Sequence, residues 1–182
     1  MKTSRFHCLV FSTLVIDNKK HATLEPDTTN YPHLKHAPFF VDLDLDGSAK
    51  PELKIEGYVA VKLVLTRQFS SDAGHDKFVM TADDTEIIGD GSDATRVAFK
   101  VVDKYGAARA CAKGTVHFEL TGPAALVGDN PFDLEPAGGV GAVWVRAAPG
   151  GSGDLTLSAL HSRLGRQQVT IAVSPSPQAR KP

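Results

Sequence analysis

Residues 42–47 read DLDLDG, three alternating carboxylates followed by a glycine. Carboxylates at that spacing supply the first ligands of an EF-hand-type calcium loop. With Asp42 as the first loop position, Asp44 and Asp46 fill the third and fifth, and Gly47 falls where such a loop turns. The pattern then breaks. Lys50 occupies the ninth position, where an oxygen ligand belongs, and Leu53 the twelfth, where a bidentate glutamate belongs; Glu52 is one residue early. A strand accounts for more of these residues. Val41, Leu43 and Leu45 would point inward, Asp42, Asp44 and Asp46 to water, and Gly47 would open a turn.

A second acidic group, Asp83, Asp84, Glu86, Asp90 and Asp93, lies between two strand-like stretches. Glycoside hydrolysis needs two carboxyls facing each other across a sugar, about 5–9.5 Å apart. Five carboxylates in one polar turn are expected to be solvated instead. Nucleophilic chemistry has little to work with. No G-x-S-x-G elbow occurs, and His75-Asp76 and His161-Ser162 are neighbours in sequence, which says nothing about triad geometry. His33 and His36 sit in the proline-containing stretch YPHLKHAPFF and are expected to make loop contacts. GDGSDA has the glycines of a phosphate loop without its Lys-Ser/Thr. The reading is no catalytic residue, no cofactor-binding residue and no metal ligand.

The elements around these residues repeat every two positions. Val97, Phe99 and Val101 alternate with polar or small residues; so do Val116, Phe118 and Leu120, then Leu155, Leu157 and Ala159, then Val169, Ile171 and Val173. That is the pattern of half-buried strands, and Gly/Pro/Asp clusters separate them. Strands are expected near 78–82, 94–103, 114–120, 125–128, 140–147, 153–160 and 166–173. Seven in about 95 residues is the size of an immunoglobulin-like sandwich. Further strands are expected near 8–16, 21–24, 38–45, 52–60 and 62–69, too few for a closed sandwich. Asp17 to Lys20 would turn the first pair, and Gly47 to Pro51 would lead the DLDLDG strand into ELKIEGY. Trp144 is assigned to a core or an interface rather than to a sugar platform.

Bulk properties narrow the function classes. The chain has 182 residues, 42% of them hydrophobic, with a formal net charge of −1. Balanced charge gives no electrostatic footprint for nucleic acid or an anionic membrane. No apolar run reaches the roughly 18 residues of a membrane span. Lys2, Arg5 and the following Phe6–Ile16 make a poor signal peptide, because His7, Ser12 and Thr13 interrupt it and no small-residue cleavage site follows. Cys8 and Cys111 are read as two free, partly buried thiols.

These residues carry a family likeness. MTADDTEIIGDGSDATRVAFKVVDKYGAARACAKGTVHFEL, LTGPAALVGDNPFDLEPAGGVGAVWVRA and LTLSALHSRLGRQQVTIAV resemble the C-terminal Ig-like domain of glycoside hydrolase family 2 proteins of the β-galactosidase type. The opening TADDTEIIGDGSD is also similar to a broader group of bacterial Ig-like modules, including invasin-type adhesins. CLVFSTLVIDNKKHATLEPDT resembles the strand-turn-strand preceding that domain, with Lys19 where the family has glycine. A Lys at positive φ would be costly.

The strand pattern, with which the resemblance agrees, predicts an all-β chain of two immunoglobulin-like β-sandwich domains in tandem: a truncated one at 1–77, whose polar stretch 70–77 would serve as the link, a complete one at 78–173, and a tail at 174–182 that has no large apolar residues to bury and is expected to be disordered. The resemblance implies a non-catalytic C-terminal accessory region of a family 2 glycosidase, whose partner is the catalytic domain, in cis or as a neighbour. The family's two catalytic glutamates belong to a barrel of about 250 residues, and no position here matches their motif. The alternatives are a stand-alone glycan-binding module, using a loop such as Gly128–Phe132, and an adhesin-type domain holding calcium at DLDLDG.

Overall fold

The computed structural model describes residues 11–43 and 50–176. Among the described residues the chain is all-β and has no α-helix. It divides into two compact units, one of residues 1–75 with 103–107, the other of residues 76–102 with 108–182.

The first unit has one antiparallel sheet among its described residues, in the order β2-β1-β3-β4, formed by Phe11–Ile16, Lys19–Leu24, Glu52–Val59 and Lys62–Ser70 for β1 to β4 in chain order. The register aligns Leu14 with Ile55 and Ile16 with Leu53, and Leu53 with Phe69, so one face is apolar. On the other face Lys54 meets Glu56 at 2.8 Å, and Phe11 stacks on Tyr58. The β1–β2 connection is a two-residue turn with Asp17 and Asn18 at φ 47° and 63°. Lys19 is the first residue of β2, so the left-handed conformation falls on Asp and Asn, which tolerate it. The expected penalty at Lys19 does not arise.

The β3–β4 turn is built with less suitable residues. Ala60 and Val61 have φ 47° and 61°, and Val61 is 84% exposed. A β-branched side chain in this region costs about 1–2 kcal/mol. Replacing Ala60-Val61 with Asn-Gly should stabilise the first unit by about 1 kcal/mol, after allowing for glycine's greater freedom in the unfolded chain. Urea unfolding checks this; an unchanged or lowered midpoint would show that the turn is not strained.

The strand expected at 38–45 is not seen in its described part, 38–43. Residues 38–43 are irregular, Val41 is exposed instead of inward, and Asp44 to Gly47 lie outside the described residues. The amide of Asp27 donates to the carbonyl of Pro38, which ties this stretch back as a loop. ELKIEGY is β3, and its partners are β1 and β4; most of the DLDLDG stretch expected to pair with it lies outside the described residues. A 3₁₀ turn at Ala73–His75 follows β4.

The second unit contains two sheets. Its strands are β5 Lys77–Ala82, β6 Glu86–Gly89, β7 Ala94–Val102, β8 Thr115–Thr121, β9 Ala124–Val127, β10 Phe132–Asp133, β11 Val140–Ala147, β12 Gly153–His161 and β13 Gly165–Pro175. One sheet runs β10-β8-β12-β13-β6 and the other β5-β7-β11-β9. All pairs are antiparallel except β13 with β6. The alternating residues face inward as expected: Val97, Phe99, Val116, Leu155, Leu157 and Ile171 are buried in one cluster. β6 and β10 were not expected from the pattern, and β13 continues through Ser174 and Pro175, into the segment read as tail.

His161 ends β12 inside this core, 1% exposed. Its Nδ1 accepts the backbone N–H groups of Arg163 and Leu164, both at 3.1 Å, and so fixes the turn into β13. Phe78 packs against the ring at 5.4 Å, and the absent side chain of Gly114 leaves room for it. Burial pushes the imidazole below its ordinary value of 6.5; the charge of Arg163 adds to this and the backbone of Lys113 opposes it. The folded form therefore refuses a proton that the unfolded chain accepts. Its contribution is complete above pH 6.5 and declines as pH falls below that. The expected loss is up to about 1.4 kcal/mol per pH unit below that point. Urea midpoints at pH 7.5 and 5.5 should differ less in His161→Gln than in the natural chain; equal differences would contradict the assignment.

Candidate functional site

The acidic turn is held together by its own hydrogen bonds. Asp83 pairs with Arg96 at 2.9 Å. Asp84 accepts from the Thr95 hydroxyl at 2.9 Å, and Glu86 from the Ser174 hydroxyl. The carboxylate of Asp90 accepts the amides of Ser92 and Asp93, which holds it below the usual carboxylate range, while Asp93 accepts the amide of Ile88. These groups shape the β5–β6 and β6–β7 turns. Among the described residues, no three His, Cys, Asp or Glu side chains are placed to hold a metal ion. Asp42 is exposed on the irregular stretch before residue 44. His33 and His36 are exposed, as is Cys111, which was expected to be partly buried.

The loop Gly128–Phe132 also has a structural task. The Asn130 side chain accepts the Phe118 amide at 3.0 Å and donates to the Phe118 carbonyl at 2.9 Å, replacing a missing strand residue beside β8. Phe132 turns inward, edge-on to Phe99 with centroids 5.0 Å apart. The loop offered for glycan binding thus has Asn130 and Phe132 committed to the sandwich.

The outer face of β5-β7-β11-β9 is an open surface with exposed apolar side chains. The register sets Val79, Lys100 and Val140 in one row and Thr81, Ala98 and Ala142 in the next. The following row carries Arg96, Trp144 and Val127, and the last Ala94, Arg146 and Ala125. Alanines floor a hollow of about 380 Å³ between the taller rows. Trp144 is 49% exposed, which excludes the core role offered for it. The signal was present in VGAVWVRA: with Val143, Val145 and Ala147 inward, Trp144 and Arg146 must point outward. This face can bind something flat and apolar; nothing on it is arranged to move a proton.

Comparison with known proteins fits this geometry. Residues 78–170 match the family described as glycoside hydrolase family 2 C-terminal domain 5. The chain belongs to that family. It is 32% identical over 151 residues to a β-galactosidase of Thermoanaerobacter pseudethanolicus, a match covering 76% of this chain and 20% of that enzyme. A β-galactosidase of Rhizobium meliloti is 28% identical over 122 residues, covering 63% of this chain and 16% of the enzyme. The chain therefore spans about a fifth or less of these relatives. In structure it resembles a β-glucuronidase of glycoside hydrolase family 2, with a TM-score of 0.69 and 23% identity, over 95% of this chain and 18% of that one. That likeness speaks for the fold.

Proposed function

We propose that this chain is a non-catalytic accessory region of a β-galactosidase-like family 2 glycosidase, built as a partial Ig-like domain at 1–77 and a complete one at 78–173. Its work is to pack against the catalytic part of such an enzyme and order it. The observation that carries this reading is the family match over residues 78–170 in a chain that spans only 20% of its β-galactosidase relative. The acidic side chains support it, since the five carboxylates nearest one another in sequence hold turns and pair with neighbours rather than facing an open cleft. Purified chain is expected to show no hydrolysis of a chromogenic β-galactoside. Turnover that follows the protein through purification would overturn the proposal.

A further inference from the structure

We infer that the outer face of β5-β7-β11-β9 is the docking surface, and that its occupant is an apolar, acid-rimmed surface of the enzyme's remaining polypeptide. This rests on the accessory reading above. Of five large apolar side chains exposed among the described residues of the second unit, Val127, Val140 and Trp144 lie on this one face. Clustered exposure marks interfaces, whereas scattered exposure is ordinary. Tryptophan beside arginine is the composition of an interface hot spot, and the register puts Trp144 next to Arg96 and one row from Arg146. The alanine-floored hollow between the rows can take a protruding apolar side chain.

Charge selects the occupant. Lys77, Lys100 and Arg146 lie on this face with no ion pair among the described residues, while Arg96 is held by Asp83. The face is therefore positive on a chain whose net charge is −1. A second copy would set these cations against one another; an acidic rim would pair with them. A sugar stacked on the indole would find donors in Arg96 and Arg146 but no free carboxylate in these rows to accept its own hydroxyls. Val127 and Ala142 flank Trp144, and the Asp83 carboxylate is already taken.

Trp144 is the sole tryptophan, so the full chain labelled with 5-fluorotryptophan gives one ¹⁹F resonance. The probe is the Thermoanaerobacter pseudethanolicus relative with its matched stretch deleted. Titration should move that resonance to saturation, and calorimetry should show binding at least about thirty-fold weaker for Trp144→Ser. Lys100→Glu and Arg146→Glu should weaken binding and flatten its salt dependence. Binding that leaves the resonance unmoved and is the same in all variants overturns this face while leaving the accessory reading intact. A shift driven by a galacto-oligosaccharide, or by raising the chain's own concentration, overturns it in favour of a glycan or a second copy. A hybrid in which this chain replaces the matched stretch provides a reading that does not need the deleted enzyme to fold. There Trp144→Ser should lower the hybrid's melting temperature and spare that of the isolated chain. Equal melting of hybrid and variant, with no binding in the titration, would overturn the inference and the reading beneath it together.

Discussion

Phe99→Ala is expected to destabilise the second unit by about 3–5 kcal/mol. The ring is 2% exposed, and its centroid lies 5.1 Å from that of Phe118, 5.0 Å from Phe132 and 6.2 Å from Phe78. Its removal leaves an apolar hole where these rings meet, and rings tied to the backbone of several strands cannot collapse fully into it. The same ring explains a glycine. Gly141 pairs with Phe99 across β11 and β7, and a Cβ there would lie 2.5 Å from the Phe99 ring and 2.7 Å from Phe132. Gly141→Ala should therefore cost about 1–3 kcal/mol by overpacking. In a Phe99→Ala background the added methyl enters free space, so the double variant should be more stable than the sum of the two losses implies. Guanidinium unfolding of the four proteins closes the cycle; strict additivity would show that Gly141 is not there to admit the ring.

The second large effect is at Asp103, which is 4% exposed in the first unit. Its carboxylate accepts the amides of Ser70 at 2.7 Å, Tyr105 at 2.9 Å and Ala107 at 3.0 Å. Hydrogen bonds to a charged group contribute about 1.5–3 kcal/mol each, without adding fully. Asp103→Ala leaves these donors unanswered and should cost about 3–5 kcal/mol. Asp103→Asn keeps one carbonyl oxygen and should lose about half as much. Urea unfolding followed by a probe in the first unit measures both. A loss below about 1 kcal/mol for the alanine variant would mean that water replaces the carboxylate at little cost.

Much of this was legible in the sequence because burial on one face of a strand imposes a period of two. Residues 94–102 and 153–161 carry that period plainly and form strands there. β6 has four residues and pairs in parallel with β13, so neither a hairpin turn nor a long alternation announces it. At 38–43 the alternation of Val41 and Leu43 with Asp42 suggested a strand, but the backbone is spent on a loop contact through Pro38. The role of Asn130 was hidden for another reason. A side chain standing in for a strand's backbone leaves no periodic trace. Trp144 was half legible: the period pointed it outward, while its size suggested a core.

The proposed role requires that this region orders a larger enzyme. The direct measurement is the melting temperature of the Thermoanaerobacter pseudethanolicus β-galactosidase with its matched stretch deleted, against the hybrid carrying this chain in its place. The hybrid should melt at the higher temperature and hydrolyse a chromogenic β-galactoside. A deleted enzyme that melts no lower than the hybrid and hydrolyses as fast would contradict the account.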